Sequence, residues 1–114
     1  MSDSEEIFLY LTTTGRKSGL PRQIEIWFVQ RGTCYYMVSE RREQADWVKN
    51  IVHMPRVQFS LGRRSNQTAI LPLTDAQARL VYPDDPIAAE VCALMDAKYG
   101  WSDGLIVELK PVEQ

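Results

Sequence analysis

A cationic turn between two β-rich runs constrains this chain more than any other feature. Ile7 to Thr13 is dense in β-branched and aromatic residues, and Gln23 to Gln30 repeats that character beyond Gly15-Arg16-Lys17-Ser18-Gly19-Leu20-Pro21-Arg22. Two strands joined by a Gly/Pro turn are the expected result. Glycine gives the backbone freedom to approach a ligand, while Arg16, Lys17 and Arg22 bring long donors suited to phosphate or carboxylate oxygens. The turn reads as an anion cradle, with a solvated hairpin loop as the alternative.

Charge supports the cradle. From Arg16 to Arg64 there are ten Lys/Arg against four acids, a local balance of +6 inside a chain whose net charge is −2, so the remainder carries −8. One basic segment on a mildly acidic protein fits a local polyanion site better than general nucleic-acid binding, and no aromatic-interleaved recognition motif accompanies it. Dispersed surface charge is the plainer alternative.

At 114 residues the chain has the length of one domain. No apolar run approaches the roughly 20 residues needed to span a bilayer, so no membrane span is expected. Met1 to Glu6 is acidic and lacks the basic flank and apolar core of a signal peptide. Residues 1–6 therefore read as a disordered acidic start, 7–114 as a single domain, and the cytoplasm as the compartment. Cys34 and Cys92 lack metal or redox spacing, and the lone His53 sits at a predicted helix end; no metal site is expected.

Taken in order, Ile24, Ile26 and Phe28 alternate with polar or exposed positions, Arg31-Gly32-Thr33 forms a tight turn, and Cys34 to Ser39 makes a third strand, so the opening reads as a meander. Trp47, Val48, Ile51 and Val52 then recur at helical spacing between Asp46 and Pro55. The start of that helix directs unpaired N–H groups toward Ser39 to Gln44. Val57 to Leu61 alternates as a fourth strand, followed by a turn from Gly62 to Asn66. Thr68 to Leu73 and Ala78 to Tyr82 are strand-like pieces interrupted by Pro72 and Thr74-Asp75. Asp84-Asp85-Pro86 opens a second helix that Gly100 ends, and Leu105 to Lys110 is a last strand. About six short antiparallel strands with two helices close most readily into a small barrel, so the expected class is α+β with a split β-barrel.

Leu11 to Arg22, Trp27-Phe28-Val29 before an Arg-Gly turn, Val38-Ser39-Glu40-Arg41, Asp46-Trp47-Val48-Lys49-Asn50 and Pro55-Arg56-Val57 appear in that order. Together they resemble the deazaflavin-dependent nitroreductase family of split-barrel flavin/deazaflavin oxidoreductases, which includes pyridoxamine-phosphate-oxidase-like proteins. The resemblance covers about Ile7 to Gly62, with Lys98-Tyr99-Gly100 a fainter echo. It implies a homodimer that binds coenzyme F-420, or FMN in some relatives, and reduces a small electrophilic molecule such as a quinone, enone or nitro compound. By position it assigns Arg16, Lys17, Ser18, Gly19 and Arg22 to the coenzyme's phosphate and glutamate tail. Ser39, Glu40 and Arg41 would border its ring, with Trp47 and Asn50 supporting that wall.

Two departures stand out. Members of that family commonly carry a Lys-Gly-Gly-like run after the serine, where this chain has Glu40-Arg41-Arg42. They also often have a helical extension before the first strand, where this sequence shows Met1 to Glu6, which implies a more open site. Deazaflavin chemistry needs no Ser-His-Asp or paired-carboxylate set. Ser39, Tyr36 and Tyr99 are the candidate proton donors or relays. An FMN-binding flavin reductase or oxidase and a non-catalytic cofactor binder are the rival readings; His53 as the only imidazole weighs against haem.

Overall fold

The computed structural model describes residues 6–63 and 69–112. The expected disordered start up to Glu5 and the turn residues Arg64 to Asn66 lie outside the described residues. Within them the elements are β1 (Ile7–Thr14), β2 (Pro21–Ile26), β3 (Val29–Arg31), β4 (Cys34–Ser39), α1 (Asp46–His53), β5 (Arg56–Arg63), β6 (Ala69–Val81), α2 (Ala88–Tyr99) and β7 (Leu105–Pro111). The strands form one antiparallel sheet in the order β2-β1-β5-β6-β7-β4-β3.

The α+β split barrel is present, with seven described strands instead of about six. The difference lies in Gln23 to Gln30, which is two strands. β2 pairs with β1, setting Ile24 opposite Leu11, whereas β3 pairs with β4, setting Val29 opposite Tyr36. These strands stand at opposite ends of the sheet order, yet only Trp27 and Phe28 separate them. Three residue steps span at most about 10 Å. The sheet must therefore curl until its two ends meet at this dipeptide, and the expected opening meander gives way to a barrel seam.

A second difference is β6, which runs unbroken through the expected interruption. Phe59 faces Thr74 and Leu61 faces Leu71, so β6 spends an extra residue where β5 spends none. Pro72 sits in that bulge, where a missing N–H removes no ladder bond.

The sheet has two buried faces. Leu9, Leu11, Met37, Phe59, Val107 and Leu109 fill the barrel interior, which Val48 and Ile51 of α1 close from one end. Tyr36, Val38, Val81 and Ile106 on the opposite face meet Val91 and Met95 of α2. β4 and β7 are covered on both sides, which accounts for their nearly continuous apolar sequence. α2 begins at Ala88, just beyond the predicted Asp84-Asp85-Pro86 start, because Asp85 Oδ1 accepts the Ile87 N–H at 3.0 Å in the lead-in turn. Gly100 ends it at φ 70°.

A charged residue, Glu108, is buried between these layers. Glu108 accepts hydrogen bonds from Tyr36 Oη at 2.8 Å and Arg79 Nε at 2.8 Å, and Arg79 also reaches Asp85 at 2.9 Å. Burial, reinforced by the bond to Glu108, pushes the Tyr36 hydroxyl well above the ordinary tyrosine range. No described helix is long and apolar enough to cross a membrane.

Candidate functional site

The loop between β1 and β2 is compact. Gly15 N–H donates to Leu20 O at 2.8 Å, Gly19 N–H to Gly15 O at 2.8 Å, and Leu20 N–H to Ser18 Oγ at 3.1 Å. A Cβ on Gly15 would lie 2.7 Å from Ser18 Oγ and 3.2 Å from Leu20 O, so a side chain there would displace the Ser18 hydroxyl that accepts the Leu20 N–H.

Asn50 pins the loop to α1. Its buried carboxamide oxygen accepts the Arg16 N–H at 3.1 Å and the Arg16 guanidinium at 2.9 Å, while its nitrogen donates to Thr13 Oγ1 at 3.1 Å. Arg16 also reaches Asp46 Oδ1 at 3.4 Å. Lys17 and Arg22 stay exposed, with no carboxylate partner among the described residues. Together these cations border a cleft of 490 Å³ whose far wall is Trp47 and Asn50.

A larger cleft of 820 Å³ opens at the barrel seam. Ile26 and Trp27 form one side, Ser39, Glu40 and Arg41 another, and Trp101 reaches in from beyond α2. Ile24, Asp46 and Trp47 line both clefts, so the cationic and apolar spaces adjoin. The volume of the larger one falls in the range of small-molecule sites, about 300–1,000 Å³.

Its two walls are held differently. Ser39 Oγ donates to Arg42 O at 2.9 Å, and Arg42, at φ 53°, turns the chain out of β4 while its guanidinium pairs with Asp103 at 2.9 Å. Opposite, the Trp27 ring stacks on Tyr99 at 4.4 Å between centroids and 3° between planes, with Trp101 edge-on at 6.5 Å. The Tyr99 hydroxyl accepts from Phe28 N–H at 3.2 Å and donates to Phe28 O at 3.0 Å. Lys98 Nζ donates to the same carbonyl at 2.9 Å.

The sequence-predicted residues divide accordingly. Arg16, Lys17, Ser18, Arg22 and Asn50 line the small cleft, Ser39, Glu40 and Arg41 the large one, and Trp47 both. Gly19 faces away, toward a hollow beside Thr14 and Pro21. Tyr36 lies on the face covered by α2 and reaches neither cleft, because alternation along β4 sends Tyr35 and Met37 into the barrel and Tyr36 out of it. Tyr99 sits behind Trp27 with its hydroxyl turned to the backbone. Neither hydroxyl borders a cleft of the described chain, although the sequence reading expects both there as proton donors. Even Ser39 has its proton engaged by Arg42 O. His53 is exposed and borders neither cleft, and among the described residues no group of three or more His, Cys, Asp or Glu is placed to hold a metal. Trp101 and Ile26 escaped the sequence reading: one is a lone aromatic after a helix stop, the other an ordinary strand residue.

The curled antiparallel sheet with its two helices is a split barrel, and solved structures share that fold. HutZ, the heme storage protein from Vibrio cholerae, superposes with a TM-score of 0.77 at 21% identity over 94% of this chain and 82% of its own. A putative pyridoxamine 5'-phosphate oxidase from Listeria innocua gives 0.71 at 14% identity over 93% and 84%, and an F420 reductase gives 0.63 at 19% over 96% and 90%. At such identities the likeness establishes the fold. Among curated proteins none matches in sequence. Residues 4–90 match the family F420H(2)-dependent quinone reductase, and the chain belongs to that family. Its cofactor is coenzyme F-420, whose reduced form the family description names.

Proposed function

We propose that this protein transfers hydride from reduced coenzyme F-420 to a small electrophilic organic acceptor of the quinone, enone or nitro type. The observation that carries this reading is the junction of the two clefts across Ile24, Asp46 and Trp47. The coenzyme joins a planar ring to a phosphodiester and a glutamate tail, and the paired clefts offer a flat apolar space continuous with a cationic one. The residues present fit it.

Lys17 and Arg22 bind the anionic tail, since neither spends its charge on a carboxylate of the described chain. Arg16, oriented by Asn50 and Asp46, offers its remaining N–H groups to phosphate oxygens. Trp47 stands where the spaces meet and orients the ring, and Glu40 and Arg41 border its other side. Bound there, the reduced coenzyme supplies the hydride. Ser39, Tyr36 and Tyr99 each donate their hydroxyl proton to Arg42 O, Glu108 and Phe28 O. The proton that completes reduction therefore comes from water entering the open cleft. A second copy of the chain is the partner we propose, as in the split-barrel family the sequence resembles.

Fluorescence-quench titration with coenzyme F-420 and separately with FMN, at low and moderate salt, tests this. Preferential F-420 binding that weakens with salt and in Arg16→Ala/Lys17→Ala supports the reading. Absence of binding by both at tens of micromolar, roughly −6 kcal/mol, overturns it.

A further inference from the structure

The strand β2 works as a ruler across the two clefts. Arg22 borders only the small cleft, Ile24 both, and Ile26 and Trp27 only the large one. At about 3.3 Å per residue, Trp27 stands roughly 16 Å along the chain from Arg22. A ligand anchored by the cations and oriented at Trp47 leaves the Trp27 end of the large cleft for a second molecule.

That end is built as an aromatic wall. Tyr99 covers one face of Trp27 and fixes the backbone beside it through both polar groups of Phe28. Trp27 nevertheless keeps 39% of its surface exposed while lining the cleft, with the edge of Trp101 beside it. Tyr99 and Trp101 both lie past residue 90, outside the stretch that matches the family.

Resting on the oxidoreductase reading, we propose that Trp27 is the wall on which the hydride acceptor stacks, that Tyr99 positions it, and that it holds the oxidised acceptor more tightly than the reduced product. The face of an indole carries negative π density. A quinone ring, drained of electrons by its carbonyls, presents a complementary electropositive face. Addition of one hydride and one proton from water converts it to a hydroquinone whose ring is electron-rich, and the attraction falls. The wall thus favours binding of what is to be reduced and release of what has been. Such ring contacts are individually modest, so the expected preference is about threefold to tenfold in Kd.

Anaerobic calorimetric titration with 2,3-dimethyl-1,4-naphthoquinone and with its hydroquinone reads this directly. The blocked ring positions keep the quinone from arylating Cys34 and Cys92. Wild type should bind the quinone more tightly by that factor. Trp27→Leu should lose the preference and raise KM for the quinone with little change in kcat, while Trp27→Phe keeps part of it. Tyr99→Phe, which retains the ring and loses both hydrogen bonds to Phe28, should weaken quinone binding less than Trp27→Leu. Equal affinity for the two ligands in wild type, or an undiminished preference in Trp27→Leu, overturns the inference. Coenzyme F-420 affinity should be unchanged in all three variants; its absence in wild type instead overturns the oxidoreductase reading.

Discussion

The carboxamide oxygen of Asn50 accepts two hydrogen bonds from Arg16, one from its N–H at 3.1 Å and one from its guanidinium at 2.9 Å. A helix and a loop distant in sequence are thereby fixed to each other, and the same side chain donates to Thr13. Asn50→Ala leaves the buried Thr13 hydroxyl and the partly buried Arg16 N–H without this partner, so we expect a loss of about 1–3 kcal/mol in urea unfolding. The same variant should bind coenzyme F-420 more weakly, because Arg16 is no longer aimed. An unchanged unfolding midpoint would show that water replaces the carboxamide without cost.

Lys17 and Arg22 behave oppositely. Neither holds the described fold together through a carboxylate, so Lys17→Ala and Arg22→Ala should each leave thermal unfolding within about 0.5 kcal/mol of wild type. Each should weaken coenzyme binding roughly tenfold at low salt and less at high salt. Titration across salt concentrations checks both statements together.

Gly104 is expected to tolerate no side chain. A Cβ there would strike the Ser39 carbonyl and come within 2.7 Å of Val38 Cγ1. Gly104→Ala should cost about 1–3 kcal/mol through overpacking and disturb the cleft wall that Ser39 begins. Denaturant unfolding gives the first quantity, and KM for the acceptor reports the second.

Alkaline pH should expose the Tyr36–Glu108 bond. With its folded pKa raised by burial and by Glu108, Tyr36 keeps its proton in the folded state after the unfolded chain has begun to lose it near pH 10. The contribution is therefore complete at neutral pH and declines as pH climbs past about 10. Tyr36→Phe should be less stable than wild type at pH 7 and show a flatter decline between pH 9 and 11. A parallel decline in both proteins would assign the alkaline loss to other groups.

The sequence revealed those elements whose pattern and punctuation agree. α1 and α2 carry helical spacing between clear stops, β1 is dense in β-formers, β5 alternates, and the cationic loop announced itself by composition. The seam did not, because alternation continues through Trp27 and Phe28 while the pairing partner changes, and no local signal records which strand lies alongside. Pro72 misled in the other direction: proline breaks a strand only where its missing N–H is needed, and a bulge removes that need. The cationic half of the site was legible because each residue acts through its own charge. The aromatic half depends on Trp101 and Tyr99 folding back across some 70 positions to meet Trp27, which spacing along the chain cannot express.

Because Trp27 and Phe28 tie β2 to β3, the two end strands of the sheet restrain each other. End strands that come loose offer unpaired backbone to neighbouring chains and seed aggregation. Limited proteolysis within this dipeptide should raise thioflavin-positive association before secondary structure is lost. The barrel seam on this account keeps the end strands from edge-to-edge aggregation, and substitutions that enlarge the acceptor space there would trade solubility for reach.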